Sequence, residues 1–338
     1  MKRWQPALFL CFALLVFLAS PWFGVRNMTP ADVFGQLAAG TEEASLEMRI
    51  FWQLRFPRAL MAWCAGATFG ICGMVFQALF RNPLAEPSLL GISSGAALGA
   101  AAAIRFGLVT WVESLGPFLP WLPAGGAIPV YAFAGALLAV GIITSFARMA
   151  RSTRDATLLL AGVAISALFS SVIMIFQYTG GAVETYRLIA WTMGGISVVG
   201  IAEGLRALPS LLISAFLALR FSTELDLITF GDEVAVTRGV ALERLKRLLF
   251  VGVSLSLAIV VANCGPIGFL GLIAPHVARR LVGPRHLGLT FVTAAVGGTM
   301  LLICDTAART VWAPADLPVG IIVSLLGAPF FIWLLFKR

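Results

Sequence analysis

The sequence predicts an all-α membrane protein of about ten transmembrane helices with both termini in the cytoplasm, and three observations carry that expectation. Of the 338 residues, 59% are apolar and 12% charged, with a mean hydropathy of +0.94; soluble domains carry about 25% charged residues. Apolar runs recur from end to end without a polar segment long enough to fold alone, so residues 1–338 are expected to form a single transmembrane domain. Basic residues also concentrate on alternate loops, which sets the orientation.

Ten runs lie between charged or Pro/Gly breaks: 7–23, 55–80, 91–107, 127–148, 156–178, 207–221, 248–263, 267–281, 288–312 and 317–336. The first follows a basic start but has no small-x-small cleavage pattern in a polar flank, so a retained span is expected rather than a signal peptide. The second, LRFPRALMAWCAGATFGICGMVFQALFRN, confines its charges to its two ends, as a lipid-spanning helix requires. It leads into RNPLAEPSLLGISSGAA, polar and rich in Pro and Gly. Unpaired amides in hydrocarbon cost several kcal/mol each, so this stretch must be buried in protein or line a cavity. The runs 91–107, 207–221 and 267–281 are short or Gly-rich, and the last carries Pro275 and His276. Interrupted spans of this kind belong inside a bundle.

With the N-terminus inside, the inner segments hold sixteen of the 24 basic residues: Lys2, Arg3, Arg81, Arg148, Arg151, Arg154, Arg220, Arg238, Arg244, Lys246, Arg247, Arg279, Arg280, Arg285, Lys337 and Arg338. The outer segments hold the other eight: Arg26, Arg49, Arg55, Arg58, Arg105, Arg187, Arg206 and Arg309. The bias places both ends in the cytoplasm. It also accounts for the net charge of +8 without a nucleic-acid partner.

Two loops have helix signals. In the outer TPADVFGQLAAG, Thr29 can cap a short helix with Pro30 in its first turn and Gly40 past its end. The inner STELDLITFGDEVAVTRGVALERLKRL places Gly231 and Asp232 at a helix start, Gly239 as a stop and a second start at Ala241. Two short cytoplasmic helices would offer a docking surface, and a solvated connector fits the same composition.

The chemistry that is missing narrows the function. There is no G-x-x-x-x-G-K-[ST] phosphate loop and no G-x-G-x-x-G after a strand, so the chain is not expected to hydrolyse ATP or act as an enzyme. The two histidines, His276 and His286, lack partners at metal-ligand spacing, and the five cysteines stand singly in apolar runs, so no metal or cofactor is expected. Acids at membrane depth are few: Asp305 near a span end and Glu86 in the broken loop. That scarcity disfavours a self-sufficient secondary carrier, to which the interrupted spans would otherwise point. Gln77 is a polar side chain at membrane depth that could face a pathway or bond a neighbouring helix. A transport protein drawing its energy from a partner fits these features.

The motifs LRFPRAL, QALFRNPLAEPSLLGISSGAALGA, LLLAGVAIS, GPIGFLGLIAPHVARRLVGPRH, DTAAR and LPVGIIVSLLGAPFFIWLL, in this order over about Leu54–Lys337, resemble those of the FecCD family, the membrane permeases of ATP-binding-cassette (ABC) importers for iron–siderophores, haem and cobalamin. The resemblance implies a type II ABC importer permease fold in the bacterial inner membrane, in contact with lipid. It also implies a homodimer with the substrate path on its axis, two copies of a separate ATPase inside, and a periplasmic or lipid-anchored substrate-binding protein outside. By similarity to the cobalamin member, about 225–247 would hold the ATPase-coupling helices, with Gly231, Asp232, Glu233, Val234, Arg238 and Gly239 at the contact. Arg55, Arg58 and Arg309 match arginines that meet acidic groups of the binding protein. Asn82 and Leu84 match residues narrowing the inner end of the path, which Gln77 could also face; Asp155 and Ala156 stand where that relative has a Thr-Ser constriction. The substrate implied is an iron–siderophore or cobalamin-type chelate ahead of haem.

Overall fold

The computed structural model describes residues 5–24, 28, 29, 31, 33, 46–109, 127–149 and 155–336. Among them the regular structure is helical throughout. Six helices are long and apolar enough to cross a membrane, and two shorter apolar helices flank them at the ends.

The bundle is built around α2 (Leu46–Leu79), in which a π-type turn at Phe51–Arg55 joins two α-helical segments. From Phe56 to Leu79 its 24 residues rise about 36 Å, enough for a hydrocarbon core of about 30 Å. Almost every residue of this segment is buried, because other helices surround it. Small residues allow this. An ideal Cβ on Gly66 would lie 2.2 Å from the carbonyl oxygen of Gly297 on α12 (His286–Thr310), and one on Gly73 would lie 1.9 Å from that of Gly271 on α11 (Leu270–Val282). The three backbones touch, which only glycine permits; in lipid, such close packing is a main source of helix association.

Around this centre, α1 (Gln5–Ala19) packs on α12, α3 (Ile92–Arg105) pairs with α4 (Ala127–Met149), and α5 (Asp155–Thr179) presents most of its apolar surface outward. Next come α6 (Ala182–Thr192) and α7 (Ile201–Arg220), the latter through a 3-10 turn at Leu205–Ala207. The short helices α8 (Ser222–Phe230) and α9 (Asp232–Thr237) precede α10 (Leu242–Cys264), and α13 (Val319–Phe336) closes the chain. The 13 residues of α11 cover about 20 Å. That is too short to cross alone, in keeping with its expected interruption.

Each of the ten predicted runs coincides with a helix. Three boundaries differ from the expected ones for physical reasons. The segment 182–192 is a helix rather than a connector, its first turn closed by Glu184 accepting from the Gly181 amide at 3.3 Å. α7 begins before 207: Glu203 and Arg206 interrupt the apolar run, yet they pair at 2.7 Å, and Glu203 accepts from the Val199 amide at 2.9 Å. The second start expected at Ala241 is not a separate short helix. It is the charged beginning of α10, which runs unbroken to Cys264. The helix expected over 29–40 lies largely outside the described residues, as do Lys2, Arg3, Arg26, Arg151, Arg154, Lys337 and Arg338.

Candidate functional site

The predicted site residues gather at the two ends of α2. At its first end, Arg58 donates to Asp305 from Nε (3.0 and 3.2 Å) and Nη2 (2.9 Å), and to Asp316 from Nη1 (2.6 Å) and Nη2 (3.0 Å). Asp305, fully buried on α12, also faces Arg309 Nε at 3.4 Å. Arg309 reaches across to the turn after α1, donating to the carbonyls of Phe23 (3.0 Å) and Ser20 (3.1 Å). Arg55 donates to the carbonyls of Pro21 and Trp22 in the same turn, both at 3.3 Å. Two neighbouring arginines of α2 and one from α12 thus gather at this end, Arg58 and Arg309 on the aspartates and Arg55 on the adjoining turn, with one positive charge in excess. A buried carboxylate is retained only when paired and hydrogen-bonded, and Asp305 has two arginines.

The other end of α2 is the broken loop. The helix stops with Asn82 N bonded to Gln77 O (3.1 Å) and Arg81 N to Ala78 O (3.2 Å), while Arg81 takes φ 45°. This is a Schellman stop with arginine where glycine is usual. Asn82 Oδ1 then accepts from Leu84 N at 2.9 Å, folding NPL into an Asx turn. Gln77 is buried and bridges to α11: its Nε2 donates to Gly271 O at 3.1 Å, and its Oε1 accepts from Arg279 Nη1 at 2.6 Å. Of its two possible roles, this geometry displays the bond to a neighbouring helix. Glu86 accepts from the amide of Phe269, which takes φ 65° immediately before α11.

Beside this loop sit α8 and α9. Gly231 (φ 130°) separates them, and Gly239 (φ 84°) ends α9 with Val240 N bonded to Ala235 O at 3.0 Å. Asp232, first in α9, meets Lys246 of α10 at 3.0 Å and Arg81 at 3.6 Å. Asp226 of α8 accepts from the His286 amide (2.9 Å) and contacts its Nδ1 (2.6 Å), holding the start of α12. Glu233, Val234 and Arg238 point to solvent or lie at the surface. Asp155 and Ala156 form the first turn of α5, with side chains outside the described residues. Among the described residues no group of His, Cys, Asp or Glu could hold a metal ion.

Comparison with known proteins settles the family. The FecCD transport family model matches residues 11–337. The chain belongs to this family. Among its relatives, the iron(3+)-hydroxamate import permease FhuG of Bacillus subtilis is 35% identical, covering 96% of this chain and 94% of its own length. The cobalamin import permease BtuC of Halobacterium salinarum is 39% identical over 84% of this chain and 73% of its own. The hemin transport permease HmuU of Yersinia pestis is 36% identical over 99% and 97%. In three dimensions, an inward-facing metal-chelate-type ABC transporter superposes with a TM-score of 0.79 at 28% identity, covering 98% of this chain and all of the other. The chain is therefore a membrane permease of a metal-chelate-type ABC importer.

Within this FecCD fold, sequence reasoning did not anticipate the partners that hold these residues in place. Asp316, Lys246, Asp226 and Arg279 carry the ion pairs and hydrogen bonds that hold the predicted residues. Their only sequence signal was charge at the end of an apolar run.

Proposed function

We propose that this chain is the permease for an iron–siderophore or cobalamin-type chelate in the cytoplasmic (inner) membrane, working as a homodimer with two copies of an ABC ATPase. Arg55, Arg58 and Arg309 receive acidic groups of a periplasmic or lipid-anchored substrate-binding protein. The helices within 225–247 receive the ATPase, with Gly231, Asp232, Glu233, Val234, Arg238 and Gly239 at the contact. Asn82 and Leu84 narrow the inner end of the path, and Asp155 and Ala156 belong to a second constriction there.

The observation that carries this reading is the opposite placement of the two clusters. Arg58 and Gln77 are 19 residues apart on one helix, about 28 Å along its axis, close to the thickness of a hydrocarbon core. A cationic patch at one end and a charged helical platform at the other suit two different partners on two sides of a membrane. The arginine fork matches carboxylates, and rim charges set orientation and association rate more than affinity.

The likeness to the hemin permease over 99% of this chain supports haem as a second substrate reading. Reconstitution tests both. The purified chain is expected to show no ATPase activity until the cognate ATPase subunit is added. Proteoliposomes with the binding protein outside are expected to accumulate a ferric siderophore or cobalamin faster than haem. ATP hydrolysis by the chain alone, or uptake without the ATPase, would sink the assignment.

A further inference from the structure

We propose that Asp316 is an internal occupant of the docking arginine: it fills the outer fork of Arg58 until an acidic side chain of the substrate-binding protein displaces it. This deepens the docking role proposed above and rests on it. A guanidinium offers two bidentate edges of practical use to carboxylates. In Arg58 both are filled, one by Asp305 and the other by Asp316. A partner carboxylate can engage Arg58 only by displacing one of them.

The two aspartates differ in how firmly they are held. Asp305 is 0% exposed and shared with Arg309, so its departure would leave two arginines facing each other in a buried site. Asp316 is 55% exposed. It sits in the 311–318 segment between α12 and α13, whose residues 311–316 are all exposed. Two backbone hydrogen bonds fold this segment, Ala315 N to Trp312 O (3.0 Å) and Leu317 N to Ala308 O (3.3 Å). Exchanging one exposed carboxylate for another at the same arginine changes little in free energy, so Asp316 is the group that leaves.

Its departure has a mechanical consequence. Leu317 and Pro318 lead directly into α13, where Gly320 donates to Gly194 O at 3.2 Å. One face of α13, with Gly320, Ser324 and Ala328, lines a concavity opposite Pro266 and Gly268 at the entry to α11. Releasing Asp316 frees the segment that leads into α13, so docking outside is passed to the start of the helix that lines this concavity.

The test measures binding of the purified cognate substrate-binding protein to the full-length permease, with its ATPase, in nanodiscs. At low salt Asp316→Asn is expected to bind about two- to five-fold tighter, as removal of one exposed competing charge predicts. Asp316→Glu should behave as the parent, Arg58→Gln should bind more weakly, and Arg58→Gln/Asp316→Asn should be no tighter than Arg58→Gln alone. The gain should shrink along a salt series. Unchanged or weaker binding by Asp316→Asn, with Asp316→Glu folded and parent-like, overturns the proposal while leaving the docking role standing. Parent-like binding by Arg55→Gln/Arg58→Gln/Arg309→Gln instead removes the docking role itself.

Discussion

Asp305 organises more of the outer cluster than any arginine around it. It is wholly buried, accepts from Arg58 and pairs with Arg309, and Arg309 in turn bonds two carbonyls of the turn after α1. Removing one partner of a buried pair is costly because the other charge remains desolvated. Asp305→Ala is therefore expected to destabilise the protein by about 3–5 kcal/mol, seen as a lower thermal midpoint and less monodisperse protein in detergent. Arg55→Ala, which loses two long bonds to backbone carbonyls, should shift the midpoint far less. The motifs LRFPR and DTAAR made the arginines and Asp305 visible in the sequence. Their pairing was not visible, because Arg58 and Asp305 lie 247 positions apart and only the packing of α2 against α12 brings them together.

The same limit governs the helices. Every apolar run became a helix, since charges and Pro/Gly breaks mark where lipid solvation ends. Boundaries failed where charged residues found partners, as Glu203 and Arg206 do in α7. Which glycines separate helices and which admit them was also hidden, because that depends on the opposing surface. Gly73 meets Gly271 backbone to backbone, whereas no atom would lie within 4 Å of a Cβ on Gly288. Gly73→Val should abolish folded protein, and Gly288→Ala, on an open stretch of α12, should leave yield and midpoint unchanged. For α9, the breaking substitution is Val236→Pro. Val236 lies beyond the first turn and is 55% exposed, so proline there removes a helical hydrogen bond without disturbing a core, at about 3 kcal/mol. Assembly with the ATPase is expected to persist while hydrolysis no longer drives uptake. Full coupled transport by this variant would show that α9 does not carry the coupling.

At the scale of the whole molecule, α5 and α13 leave large apolar side chains outward, among them Leu160, Met174, Ile175, Leu325 and Ile332, which the described residues of one copy do not cover. Lipid can cover such faces, and so can a second copy. The broken loop distinguishes these. If the path runs on a two-fold axis, then Asn82 and Leu84, in the Asx turn that follows α2, approach their counterparts in the partner subunit. With the five native cysteines replaced, Asn82→Cys and Leu84→Cys are each expected to form a disulfide-linked dimer, because the bond requires Cα atoms within about 7 Å. The loop is tied to α9 through Arg81 and Asp232, and to α11 through Glu86 and Phe269. A movement imposed on α9 by the ATPase therefore pulls the loop against its anchor on α11, and the cross-linking yield should change between nucleotide-free and ATP-bound states. Cysteine at Tyr178, at the far end of α5 and 92% exposed, provides the contrast; its yield should not follow nucleotide. A dimeric, active transporter that gives no cross-link at Asn82 or Leu84 in any nucleotide state would place this turn away from the axis. Its Schellman stop and Asx turn would then serve only to return the chain from α2 to α3.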